Sequence, residues 1–145
     1  MEPAPISEAV SLALAPIFLL AGIGALLNVM TQRLGRVVDR ARHLEEVLET
    51  ERDEPHPREK EELSALGKRI SSANRAIYAT SASALLVCFL VSLLFIERLF
   101  EVPVGSAVAV LFIMTMGLLT LGLLFYLHEI AVATRSLTIR RELLQ

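Results

Sequence analysis

The chain has 145 residues, 54% of them hydrophobic, with 14 Lys and Arg against 16 Asp and Glu. That apolar share, with a mean hydropathy of +0.56, lies above the roughly 45 to 50% usual for soluble domains. It excludes an ordinary soluble domain and places the chain in a membrane.

Three segments have the roughly 20 residues that a helix needs to cross about 30 Å of hydrocarbon: residues 9–29, 76–96 and 104–127. The first is preceded only by Glu2 and Glu8 and followed by arginines. A cleavable signal carries its basic residues before a shorter apolar core, so this segment reads as a retained transmembrane helix. Glu8 stands at its outer end, with Ser11, Ala15 and Gly22 below. In a ring of subunits these residues form an acidic vestibule over a small-residue constriction, an entry suited to cations; in a lone chain Glu8 is a solvated helix end.

The first helix does not stop at the end of its apolar run. At about 100° per residue, Asn28, Gln32, Gly35 and Asp39 share one face, while Leu34, Val37, Ala41, Leu44 and Leu48 follow the three-four spacing of a coiled-coil seam on nearly the opposite face. With the seam occupied by a partner helix, the polar face is left for water, another subunit or the C-terminal helix. In the plainer reading, Asn28 and Gln32 bond neighbouring helices and Asp39 pairs with Arg36 or Arg42.

"DEPHP" at residues 53–57 ends this helix, because its two prolines lack donors and push their preceding residues out of helical geometry. Leu63, Leu66, Ile70, Ala73 and Ile77 then repeat the seam spacing on the way to the second span. Residues 31–75 therefore read as an antiparallel helical hairpin, each arm about 30 Å long at 1.5 Å per residue. Its ten basic residues are offset by ten acidic ones, which argues against a nucleic-acid partner.

In the second span Ser72, Ala76, Ala79 and Ser83 make a small-residue face suited to close helix approach, and Cys88 is expected to pack as a small apolar residue. The third span ends in "LLFYLHEI", where the Glu129 carboxylate needs a cation or water. Arg33, Arg36 and Arg75 lie at the same depth and are expected to form membrane-interface ion pairs with it. Ion coordination or proton relay by Glu129 is the sharper alternative. Residues 128–145 are expected to continue as a short helix.

Ten of the basic residues lie in the hairpin, three follow the third span, and only Arg98 lies in the loop between spans two and three. The positive-inside rule then puts the N-terminus outside and the hairpin and C-terminus in the cytoplasm. Phosphate-binding loop, paired-cysteine and H-E-x-x-H motifs are all missing from the sequence, and the three histidines are widely separated. No enzymatic activity, metal or cofactor is expected.

The runs "APIFLLAGIGALLNVMTQRLGRVVDRAR", "RISSANRAIYATSASALLVCFLVSLLF" and "LLFYLHEIAVATRSL" resemble a family of small bacterial membrane proteins catalogued as a domain of unknown function. The likeness implies a bacterial inner-membrane protein and supplies no activity. The expected fold is an all-α integral membrane protein, one membrane domain over residues 1–145, with three transmembrane helices and a cytoplasmic antiparallel hairpin between the first two. Three helices are too few to enclose a path, so transport requires a homo-oligomer. One expectation is a cation-leaning small-ion channel lined by the first helix at Glu8, Ser11, Ala15, Gly22, Asn28, Gln32 and Asp39, with anion permeation left open by the arginines at its inner end. The other is a non-conducting scaffold or envelope sensor whose hairpin binds a cytoplasmic protein. Membrane lipid is a partner in both.

Overall fold

A computed structural model describes residues 4–50 and 57–142, with side-chain surroundings at residue 11 and between residues 14 and 133. Every secondary-structure element among them is helical: α1 (Ala4–Thr50), α2 (Pro57–Phe100) and α3 (Gly105–Glu142). At 1.5 Å per residue even the shortest is about 57 Å long, well beyond the thickness of a bilayer core. All three are long and apolar enough to cross a membrane, with mean hydropathies of 2.0, 2.3 and 2.5 over their most apolar stretches. At most 22% of any such stretch is buried inside the molecule. The outward surface carries Phe18, Tyr78, Leu99 and Phe100, each more than two-thirds exposed, as suits a multi-pass protein solvated by lipid.

The α1 helix runs unbroken through Pro16 and past the end of the apolar run to Thr50. The turn expected at "DEPHP" falls on residues 51–56, outside the described residues, and Pro57 opens α2, a position that tolerates its missing N–H. Glu101, just after α2, has φ of 55°, the left-handed conformation in which helices commonly end and which glycine adopts most easily. Glu97, near the same end, brings its carboxylate close to Gly105 at the start of α3, where a helix N-terminus favours negative charge.

The central helix is α2, packed along both α1 and α3, while α1 and α3 touch each other only lightly. Met30 meets Thr80 and Arg40 meets Glu62, so α1 and α2 run antiparallel. Each helix buries a stripe with a seven-residue repeat. On α1 it is Pro16, Ile23, Met30 and Leu44, with Val37 half-buried between; on α2 it is Leu66, Ala76, Thr80, Ser83, Val87 and Leu90; on α3 it is Thr115, Gly122 and Glu129.

Two kinds of physics hold these stripes together. Toward the "DEPHP" end, Ala41, Leu44 and Leu66 form a buried cluster backed by Val37, Leu63 and Ile70. Removing such side chains from water stabilises by about 1.5 to 3 kcal/mol for each large one. In the apolar half that driving force is absent, because lipid is as apolar as leucine, and close packing of small residues takes over. Thr80, Ser83 and Thr115 are fully buried there. Their hydroxyls are satisfied locally: Ser83 donates to the Thr80 carbonyl at 2.7 Å, Thr115 to the Leu111 carbonyl at 2.8 Å, and Thr80 to the Met30 sulfur at 3.8 Å. Gly122 sits directly on α2: a Cβ added there would lie on the Thr80 hydroxyl, 3.1 Å from the Thr80 nitrogen and 3.3 Å from the Ala76 carbonyl oxygen. Cys88, expected to pack inside, is exposed on the outer surface.

Candidate functional site

The three helices bring charged residues together where their apolar stretches give way to charged sequence. Glu129 of α3 has a side chain only 5% exposed, and its Oε1 accepts a hydrogen bond at 3.1 Å from Nη2 of Arg69 on α2, itself 26% exposed. The Arg69 Nε is buried with no acceptor. On the α1 side, Arg33 lies over the Tyr126 ring, its guanidinium carbon 5.6 Å from the centroid, a cation–π geometry. Arg33 Nη1 also donates to the Tyr126 hydroxyl at 3.4 Å, a long and weak bond. Arg33, Tyr126 and Glu129 border a cavity of about 10 Å³ together with Met30, Val37 and Ala73, room for about one water. Two guanidiniums share one carboxylate here, so the cluster carries an excess positive charge.

Of the four residues expected to pair at this depth, Arg33 and Glu129 border one cavity, where Arg33 contacts Tyr126 and not the carboxylate. The partner of Glu129 is Arg69, not Arg36 or Arg75; both of these are exposed and form no ion pair among the described residues. The seam spacing through Leu63, Leu66, Ile70, Ala73 and Ile77 does not include Arg69. The helix has a second, overlapping stripe facing α3, and position 69 belongs to it, three residues after Leu66 and seven before Ala76. An arginine on an otherwise small or apolar stripe was the available signal. Asp39 forms no pair with Arg36 or Arg42 among the described residues and is exposed.

The pore candidates Ser11, Ala15, Gly22, Asn28, Gln32 and Asp39 are all exposed. Glu8 lies in α1, with its side chain outside the described residues. Gln32 Nε2 donates to Asn28 Oδ1 at 3.2 Å, a bond within the helix. Ala21, Ala25, Asn28, Gln32, Gly35 and Asp39 are spaced by four, three, four, three and four and are all exposed, opposite the stripe that packs on α2. At 100° per residue Glu8, Ser11, Ala15 and Gly22 are about 80 to 140° round the helix from that row. One straight helix therefore cannot turn all seven candidates toward a single axis. Among the described residues, no three His, Cys, Asp or Glu side chains converge as a metal site would require.

The family described as "Protein of unknown function (DUF2721)" matches residues 13–139. The chain belongs to this family. Its match takes in all of α2 and most of α1 and α3, including the Arg33, Arg69, Tyr126 and Glu129 cluster, so the DUF2721 segment contains the packed part of the three-helix arrangement. No curated protein and no solved structure matches the chain.

Proposed function

We propose that this DUF2721 protein is a homo-oligomeric channel for small ions in the bacterial cytoplasmic membrane, with α1 of each copy lining a shared axis. The distribution of arginines supports an N-terminus outside, with the α1–α2 arm and the end of α3 in the cytoplasm. The observation that carries the reading is the exposed row Ala21, Ala25, Asn28, Gln32, Gly35 and Asp39. Small and polar residues in a span normally face protein or water, yet among the described residues no other helix covers these.

Copies inserted in the same orientation run parallel, so each residue of the row meets its own equivalent. Asn and Gln carry both donors and acceptors and satisfy one another in such a ring, or hold water. Farther out the same face continues into Phe18 and Leu14, an apolar constriction of the kind that gates by dewetting. Asp39 leans the inner mouth toward cations, while Arg36 and Arg42, each about 60° away on the helix, oppose it. The balance of these charges sets the charge selectivity, and the outer residues Glu8, Ser11, Ala15 and Gly22 are turned about 80 to 140° away from the axis.

The test is ion flux into liposomes containing the full chain, with the subunit number counted by native mass spectrometry. Three or more subunits with flux that is lost in Asn28→Leu and raised in Phe18→Ala support the channel. A monomer or dimer refutes it. A non-conducting scaffold is the second reading, favoured by the packed arm: the Leu44 and Leu66 cluster and the Arg40–Glu62 pair at 3.0 Å extend the α1–α2 contact well past the apolar stretches. An intact oligomer without flux selects the scaffold.

A further inference from the structure

We propose that the groove between α1 and α3 at Arg33 and Tyr126 binds the phosphate of an anionic lipid headgroup. Arg33 has five N–H donors, and among the described residues its hydrogen bond is the 3.4 Å contact with the Tyr126 hydroxyl. The nearby carboxylate, Glu129, is already engaged by Arg69 at 3.1 Å. With two guanidiniums and one carboxylate the cluster keeps one excess positive charge, and the Arg33 N–H groups that Tyr126 does not take are left to bind an anion. The Tyr126 hydroxyl accepts from Arg33 and keeps its own proton to donate. A phosphate oxygen seated on the outer edge of the guanidinium takes charge-assisted N–H bonds and the tyrosine O–H.

Position selects a lipid as the source. About one turn back toward the apolar side stand the exposed Val29 of α1, four residues before Arg33, and the half-buried Leu123 of α3, three residues before Tyr126, a bed for acyl chains. Both helices pack on α2 and touch each other only lightly. The cavity behind Arg33 and Tyr126 has room for about one water, so the headgroup lies across its mouth. Basic pockets between transmembrane helices are the known physical setting for anionic headgroups. The excess charge of the cluster favours phosphatidylglycerol over zwitterionic phosphatidylcholine, whose phosphate is neutralised within its own headgroup.

The experiment is native mass spectrometry of the full chain in detergent, titrated with phosphatidylglycerol or phosphatidylcholine. Wild type is expected to retain phosphatidylglycerol in preference to phosphatidylcholine. Arg33→Gln should weaken retention by about tenfold or more and Tyr126→Phe by a smaller factor, while Arg36→Gln, at an exposed arginine of similar depth, changes it by less than about twofold. Arg33→Lys, which keeps the charge and loses the planar fork, falls between, and with Tyr126→Phe it carries the test if Arg33→Gln fails to fold. Equal weakening by Arg33→Gln and Arg36→Gln would mean diffuse attraction and overturn the site. So would equal retention of both lipids. Displacement of the lipid by millimolar inorganic phosphate would assign the site to free phosphate and overturn the lipid assignment.

Discussion

Substituting Gly122 by alanine tests whether close backbone approach holds α3 on α2. The new Cβ would lie on the Thr80 hydroxyl, 3.1 Å from the Thr80 nitrogen and 3.3 Å from the Ala76 carbonyl oxygen. The hydroxyl can rotate, but threonine has few χ1 choices in a helix, and rotation gives up its contact with the Met30 sulfur. The two backbone atoms cannot rotate away, so the helices must separate by a few tenths of an ångström along a contact that includes buried Ala76, Thr80 and Ser83. Overpacking of this kind costs about 1 to 3 kcal/mol, offset by up to about 1 kcal/mol from the better helix propensity of alanine. Gly122→Ala is expected to destabilise by about 1 to 2 kcal/mol. Gly117 is the control on the same helix, since a Cβ there meets nothing within 4 Å, and Gly117→Ala is expected to be neutral or stabilising. The measurement is reversible unfolding in mixed micelles, with Thr80→Ala added to complete a double-mutant cycle. Thr80→Ala should recover only part of the loss, because it leaves the nitrogen and carbonyl contacts in place. Gly122→Ala as stable as Gly117→Ala would refute the close-approach argument.

Two further outcomes follow from the same geometry. Arg69→Met leaves the nearly buried Glu129 carboxylate without its partner and is expected to cost about 2 to 4 kcal/mol, whereas Glu129→Gln leaves a partly exposed arginine and costs less; the double variant Arg69→Met with Glu129→Leu regains most of the loss. Equal costs for the two single variants in unfolding titrations would show that burial of the carboxylate is not what makes the pair matter. At the end of α2, Glu101→Gly relieves the left-handed backbone at φ of 55° and is expected to stabilise by up to about 1 kcal/mol, read in the same titration; a loss of stability would mean that the glutamate side chain matters more than the backbone.

The spans were legible because long apolar runs have few other uses, and the α1 seam was legible because Val37, Ala41 and Leu44 keep apolar spacing among charges. The pairing of Arg69 with Glu129, 60 residues apart, was not. Periodicity locates apolar stripes, and an arginine reads as a gap in one. The inner face of α3 was hidden for a different reason. That helix is apolar on every side through its membrane stretch, so hydrophobic periodicity carries no information about which side is buried. The stripe against α2 is marked instead by its least apolar members, Thr115, Gly122 and Glu129.

That inversion bears on α1. Where the helices run among charged residues, the buried positions are Ala41, Leu44 and Leu66; where they run through apolar sequence, small or hydroxylated residues, Ala76, Thr80, Ser83, Thr115 and Gly122, are buried beside Ile23, Met30, Val87 and Leu90. Ala21, Ala25 and Asn28 resemble the small and polar members of that buried set and are nonetheless exposed, whereas the leucines and phenylalanines around them suit lipid. Among the described residues neither α2 nor α3 covers that row, because α2 packs on the opposite face of α1 and α3 meets α1 at Arg33, about 120° round the helix from the row. A second copy inserted in the same orientation presents an identical row at the same depth, where Asn28 finds in its own equivalent both the donor and the acceptor it needs. The row therefore ties the channel reading to assembly before conduction: if the copies do not associate through α1, no arrangement of three helices leaves Asn28 facing water across the membrane.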